Sequence, residues 1–122
     1  MANREKKILI VEDSKSTNKI LTQYFLHKKY TVFSVFTLAE AYDCLSIESI
    51  GYILLDMNLP DGNGYELLKS YSNKGIKFFV FTSDTDAQLK EISYQNGVID
   101  FIVKDKDFYK KISQIDANIT LL

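Results

Sequence analysis

Five polar residues stand where apolar runs stop in this chain of 122 residues. KILIV (Lys7–Val11) ends in Glu12 and Asp13, YILL (Tyr52–Leu55) in Asp56, KFFVF (Lys77–Phe81) in Thr82, and VIDFIV (Val98–Val103) in Lys104. Brought together, three carboxylates, a hydroxyl and an ammonium would have a definite chemistry. Crowded carboxylates repel one another unless a cation offsets them. Magnesium suits such a cluster, because it keeps several waters and binds through one or two carboxylates plus a substrate phosphate. A carboxylate beside that ion can attack a phosphoryl group and become an aspartyl phosphate. The charge on the three phosphoryl oxygens then needs the metal, an ammonium and a hydroxyl. Lys104 would be the point charge and Thr82 the donor.

The elements that must position these residues are legible as alternation. The four runs above and a fifth, YTVFSVF at Tyr30–Phe36, read as strands that are apolar on both faces, as a buried parallel sheet requires. Helical patterns lie between and after them. Ser14–His27 carries Ile20, Leu21, Tyr24 and Phe25 at helical spacing. Leu38–Ile47 follows Thr37 and contains Glu40 in capping-box positions, and Gly64–Tyr71 has Asn63 and Glu66 in the same relation. Asp86–Gln95 stops at Asn96-Gly97, and Phe108–Leu122 places Phe108, Ile112, Ile115, Ile119 and Leu122 on one face. Five strand–helix pairs predict an α/β fold, an open parallel sheet with right-handed crossovers and helices on both faces. In such sheets ligands bind outside the carboxyl ends of the strands, which is where the five polar residues fall.

Bulk properties narrow the field. The length suits one domain, and 46% hydrophobic with 25% charged residues is ordinary for a globular protein. The formal net charge of -1 gives no field that would draw nucleic acid or a membrane surface. No apolar run approaches a membrane span, and MANREKK is not a signal peptide. Cys44 is the sole cysteine, which excludes an internal disulfide and reads as a small buried hydrophobe. By elimination these absences lead to a cytoplasmic location. His27 reads as an exposed residue near the end of the first helix. The uncapped end at Leu121-Leu122 reads as a cut through a longer protein, so that residues 1–122 would be one domain of it with an output domain beyond.

The motifs ILIVEDS (Ile8–Ser14), LLDMNLPDGNGYEL (Leu54–Leu67), FTSD (Phe81–Asp84) and DFIVKD (Asp100–Asp105), in this order, resemble the receiver family of response regulators over nearly the whole chain. The resemblance implies a flavodoxin-like, doubly wound sheet of five parallel strands in the order 2-1-3-4-5 with five helices. It implies that Glu12, Asp13 and Asp56 bind magnesium, or manganese in its place, with the backbone carbonyl of Asn58 helping. Asp56 would be the phosphoacceptor, with Thr82 and Lys104 on the phosphoryl group. Such a domain is a signalling phosphoacceptor whose only catalysis is on itself. Its donor would be a histidine kinase or a histidine phosphotransfer protein. Thr82 would move toward the phosphate and Phe101 would turn inward, changing the face formed by the fourth helix, fifth strand and fifth helix. That face could engage an output domain or partner protein, or form a homodimer. Leu89, Ile92, Phe108 and Ile112 are candidates for core or for this face.

The family places a proline, often cis, after the lysine, whereas Asp105 follows Lys104 here. A cis bond before a non-proline costs about 2.5–4 kcal/mol, so a trans bond is expected. Asn58 and Asp84, two residues beyond Asp56 and Thr82, could steer water and tune phosphate loss. Four other readings compete. A flavodoxin-like flavin carrier could use SKST at Ser14–Thr17, but Glu12 and Asp13 would repel a bare phosphate. An aspartyl-phosphate phosphatase would need a second acid where Asn58 stands. A calcium loop over Asp56–Glu66 fails at Pro60 and Asp61. A degenerate receiver, binding partners without phosphorylation, is the remaining alternative.

Overall fold

The structure, a computed structural model, describes residues 6–83 and 87–121, the last by its backbone alone. Asp84, Asp86 and Leu122, which entered the sequence expectations, lie outside the described residues. The order is β1 (Lys7–Val11), α1 (Lys15–His27), β2 (Thr31–Val35), α2 (Leu38–Ile47), β3 (Tyr52–Asp56), β4 (Asn58–Leu59), β5 (Gly62–Asn63), α3 (Tyr65–Tyr71), β6 (Lys77–Thr82), α4 (Ala87–Gln95), β7 (Asp100–Val103) and α5 (Phe108–Leu121). Five strands form one parallel sheet in the order β2-β1-β3-β6-β7, which is 2-1-3-4-5 counted over that sheet alone. β4 and β5 are a separate antiparallel hairpin directly after β3.

Alternate residues of each central strand feed opposite layers. Ile8 and Ile10 of β1, Leu54 of β3, Phe79 and Phe81 of β6 and Ile102 of β7 pack under α1 and α5, through Leu21, Phe25, Ile112 and Ile115. Leu9, Val11, Ile53, Leu55, Val80 and Phe101 pack on the other side, against Leu38 and Ala41 of α2 and Leu67 and Leu68 of α3. Burial on both faces is what makes β1, β3 and β6 continuous apolar runs. β2 departs from that expectation. Thr31 and Ser34 are exposed and its other residues half-buried, because β2 is an edge strand.

Local chemistry sets the helix starts. Ser14 caps α1 through the Thr17 amide, and the Thr37 hydroxyl accepts from the Glu40 amide at α2. The matching expectation for Asn63 and Glu66 needs correction. Asn63 instead accepts from the Tyr65 amide at 2.8 Å, two residues on, because it is still paired with Asn58 in the hairpin. Glu66 accepts from the Tyr42 hydroxyl. Gly97, at φ +84°, ends α4 as expected. Ile20 is 42% exposed, and Cys44 is half-buried rather than buried. His27 is exposed.

Candidate phosphoryl and metal site

The carboxyl ends of β1, β3, β6 and β7 converge because adjacent strands run parallel in register, with Val11 beside Leu55, Asp56 beside Phe81 and Thr82 beside Val103. Glu12, Asp13 and Asp56 each present a carboxylate oxygen within 4.8 Å of the others. Glu12 and Asp56 are buried while Asp13 is exposed, so the cluster opens to solvent on one side. Lys104 reaches across from β7 and donates to Glu12 Oε1 at 2.5 Å and to Asp56 Oδ2 at 3.0 Å. Its ammonium also lies 5.1 Å above the Phe81 ring. All five residues singled out at strand ends are thus at one edge of the sheet.

Electrostatics follow from two buried carboxylates sharing one ammonium. Burial, reinforced by Asp56, pushes the Glu12 carboxyl up to about 8, against the opposing pull of Lys104. Burial alone would lower Lys104, but Glu12 and Asp56 outweigh it and hold the ammonium above its ordinary value. The donor set is oxygen only and carries excess negative charge, which fits a hard divalent ion.

The loop after Asp56 is held from several directions. The Asn58 amide donates to Asp56 Oδ1 at 3.0 Å, and the Asn58 side chain donates to the buried Thr82 hydroxyl at 3.3 Å. The Gly64 amide donates to the Met57 carbonyl. A Cβ at Gly64 would lie 2.5 Å from the Asp56 carbonyl oxygen and 3.0 Å from Met57 Cα. Gly64→Ala is therefore expected to push the loop off the site, costing about 1–3 kcal/mol. A thermal melt against wild type checks this; an unchanged midpoint would mean the backbone yields freely.

At the output side the expected trans bond is present at Lys104–Asp105, since the described residues contain no cis peptide bond. Asp105 instead accepts from the Asp107 amide at 2.9 Å and the Lys111 ammonium at 3.0 Å at the start of α5. Phe101 is only 8% exposed and belongs to the core cluster under α2 and α3. Phe108 and Ile112 are core, Leu89 is half-buried, and Ile92 is 38% exposed on α4.

Sequence reasoning missed Asn18. Its buried amide donates to the carbonyls of Glu12 (2.9 Å) and Val35 (3.0 Å), and its oxygen accepts from Thr22. It ties α1 to the ends of β1 and β2 beneath the acidic cluster. The available signal was a poor helix former one turn before Leu21.

The family described as response regulator receiver domain matches residues 8–116. The transcriptional regulatory protein CrdR of Helicobacter pylori is 29% identical over 119 residues, covering 94% of this chain and 54% of its own length. The regulatory protein VanR of Enterococcus faecium is 26% identical over 114 residues, covering 93% of this chain and 49% of its own. The chain thus spans about half the length of these relatives. Among solved structures, the non-phosphorylated HemR receiver domain from Leptospira biflexa aligns with a TM-score of 0.87 at 27% identity, covering 95% of both chains.

Proposed function

The chain belongs to the response regulator receiver domain family, and from that membership and the site's geometry we propose that it accepts a phosphoryl group on Asp56 in a magnesium-dependent reaction. Receivers are signalling domains of two-component systems. One observation carries the reading to Asp56: it is the buried carboxylate that touches both the lysine and the loop, with Glu12 and Asp13 beside it.

Glu12, Asp13, Asp56 and the Asn58 carbonyl would hold the ion. Magnesium supplies charge neutralisation and oxygen coordination when bound. A carboxylate oxygen of Asp56 attacks the phosphorus of a phosphohistidine, the new P–O bond forms as the P–N bond breaks, and the imidazole leaves with the electron pair. Lys104 transfers its hydrogen bond from Asp56 to a phosphoryl oxygen, and the Thr82 hydroxyl donates to another. Thr82 is already in contact with Asn58, so its movement is felt in the loop. A histidine kinase or phosphotransfer protein is the donor. The α4–β7–α5 face is the surface that changes, for an output domain, a separate partner or a second copy.

The test is incubation with magnesium and acetyl phosphate followed by intact mass. One added phosphoryl group, lost with chelator, is expected. No gain, with beryllofluoride also failing to bind, would instead support a degenerate receiver.

The raised Glu12 carboxyl gives the site a pH dependence. Its ordinary value is 4.5 and its folded value about 8, so the protonated form favours the metal-free fold. That contribution is complete below the ordinary value and is lost as pH rises through about 8. Magnesium needs the ionised form and must displace the proton. Magnesium affinity is therefore expected to climb steeply from about pH 6 and level off above about 8. Calorimetry across that range checks it; a flat profile would mean Glu12 is already ionised or is no ligand.

A further inference from the structure

The tip of the β4–β5 hairpin is fastened to a helix that the phosphoryl chemistry does not use. Pro60 and Asp61 form its two-residue turn. The Asp61 carboxylate accepts from two backbone amides at the start of α2, Leu38 at 2.8 Å through Oδ1 and Ala39 at 3.0 Å through Oδ2. These bonds hold its carboxyl below the usual carboxylate range. The neighbouring Gly62 lies so close to α2 that a Cβ there would come within 2.8 Å of Leu38 Cδ1. α2 has its own cap in Thr37, so Asp61 adds a second anchor that comes from the loop.

The other end of the same hairpin is Asn58. Its amide is bonded to Asp56 and its side chain to Thr82. With Gly64 packed on the Asp56 carbonyl, the base of the hairpin is fixed to the site and its tip to α2. Only a few residues separate the two attachments, so freedom at the tip passes directly to the base. We infer that Asp61 is a positioning residue: by clamping the hairpin tip to the first turn of α2, it fixes the Asn58 backbone in the arrangement that completes the metal site. This rests on the reading of Glu12, Asp13, Asp56 and Asn58 as that site. Partners that orient metal ligands typically contribute about ten- to a hundredfold in affinity.

The experiment measures magnesium affinity by calorimetry on wild type, Asp61→Ala, Asp61→Asn and Thr37→Ala, with a melt of each. Asp61→Ala is expected to weaken magnesium on the order of tenfold and to speed amide exchange at Leu38, Ala39 and Asn58. Asp61→Asn loses the same charge but keeps an oxygen for one amide, so it should fall between Asp61→Ala and wild type. Thr37→Ala loosens α2 without touching the hairpin and should lower the melting temperature while leaving magnesium affinity near wild type. Equal weakening in both Asp61 variants would assign the effect to lost charge and overturn the inference, as would unchanged affinity in Asp61→Ala. A wild type that binds no magnesium would overturn the metal-site reading itself, and the inference with it.

Discussion

Asp56→Asn is expected to take up no phosphoryl group from acetyl phosphate under conditions that modify wild type. The amide is isosteric and can still accept from the Asn58 amide, so the loop should keep its place. It is not a nucleophile of comparable strength, and Lys104 loses one of its two charged partners. Above about pH 8, where Glu12 is ionised, the metal-free protein should meanwhile become more stable. Asp56 is among the causes that raise Glu12, so removing its charge relieves a buried repulsion. Intact mass and a melt in chelator read both effects. Equal modification of wild type and variant would place the acceptor elsewhere, and a large drop in melting temperature would mean that Asp56 serves the fold more than the site.

Lys104→Met is expected to act in two directions at once. In metal-free protein the ammonium is the local counter-ion of Asp56 and a hydrogen-bond donor to Glu12. Removing one partner of a buried pair costs about 3–5 kcal/mol. The Lys104 side chain is 22% exposed, so water can partly replace it and the loss should fall below that range. Magnesium brings the missing positive charge, so stabilisation by magnesium should grow and its affinity tighten. The phosphorylation rate should nevertheless fall on the order of a hundredfold, because the charge on the incoming phosphoryl oxygens loses a preplaced donor. Calorimetry with a single-turnover mass assay separates the two. Weaker magnesium binding in the variant would show that Lys104 organises the site rather than competing with the ion.

The legible part of this protein was the part written in short range. Apolar runs marked β1, β3 and β6, and the residue after each run was already one that the candidate site gathers, because in a parallel sheet ligand sites lie at the carboxyl ends of the strands. What escaped was written across the chain. Asn18 looks like a weak helix residue until the carbonyls of Glu12 and Val35 are found beside it. Asp61 had only the meaning of a misfit in a calcium loop, and its partners lie 22 and 23 residues earlier. The β4–β5 hairpin was hidden because its strands are two residues each and carry no periodicity. The half-exposure of β2 follows from being at an edge, which five similar apolar runs do not rank.

The inward packing of Phe101 bears on how loudly this domain can speak. A two-state device reports a signal by the change in occupancy of its responding state, and moving from about 1:99 to 99:1 takes about 5.5 kcal/mol of differential binding. In the receiver resemblance, the aromatic's inward turn is part of that response. Here Phe101 is 8% exposed and belongs to the core cluster under α2 and α3. If the proposed switch uses that turn, a ring that is buried from the start leaves less of it for the phosphate to drive, which would raise the baseline and compress the dynamic range. On the proposed reading, the contrast between off and on would then fall to the rest of the α4–β7–α5 face, where Ile92 of α4 and Tyr109 of α5 are exposed.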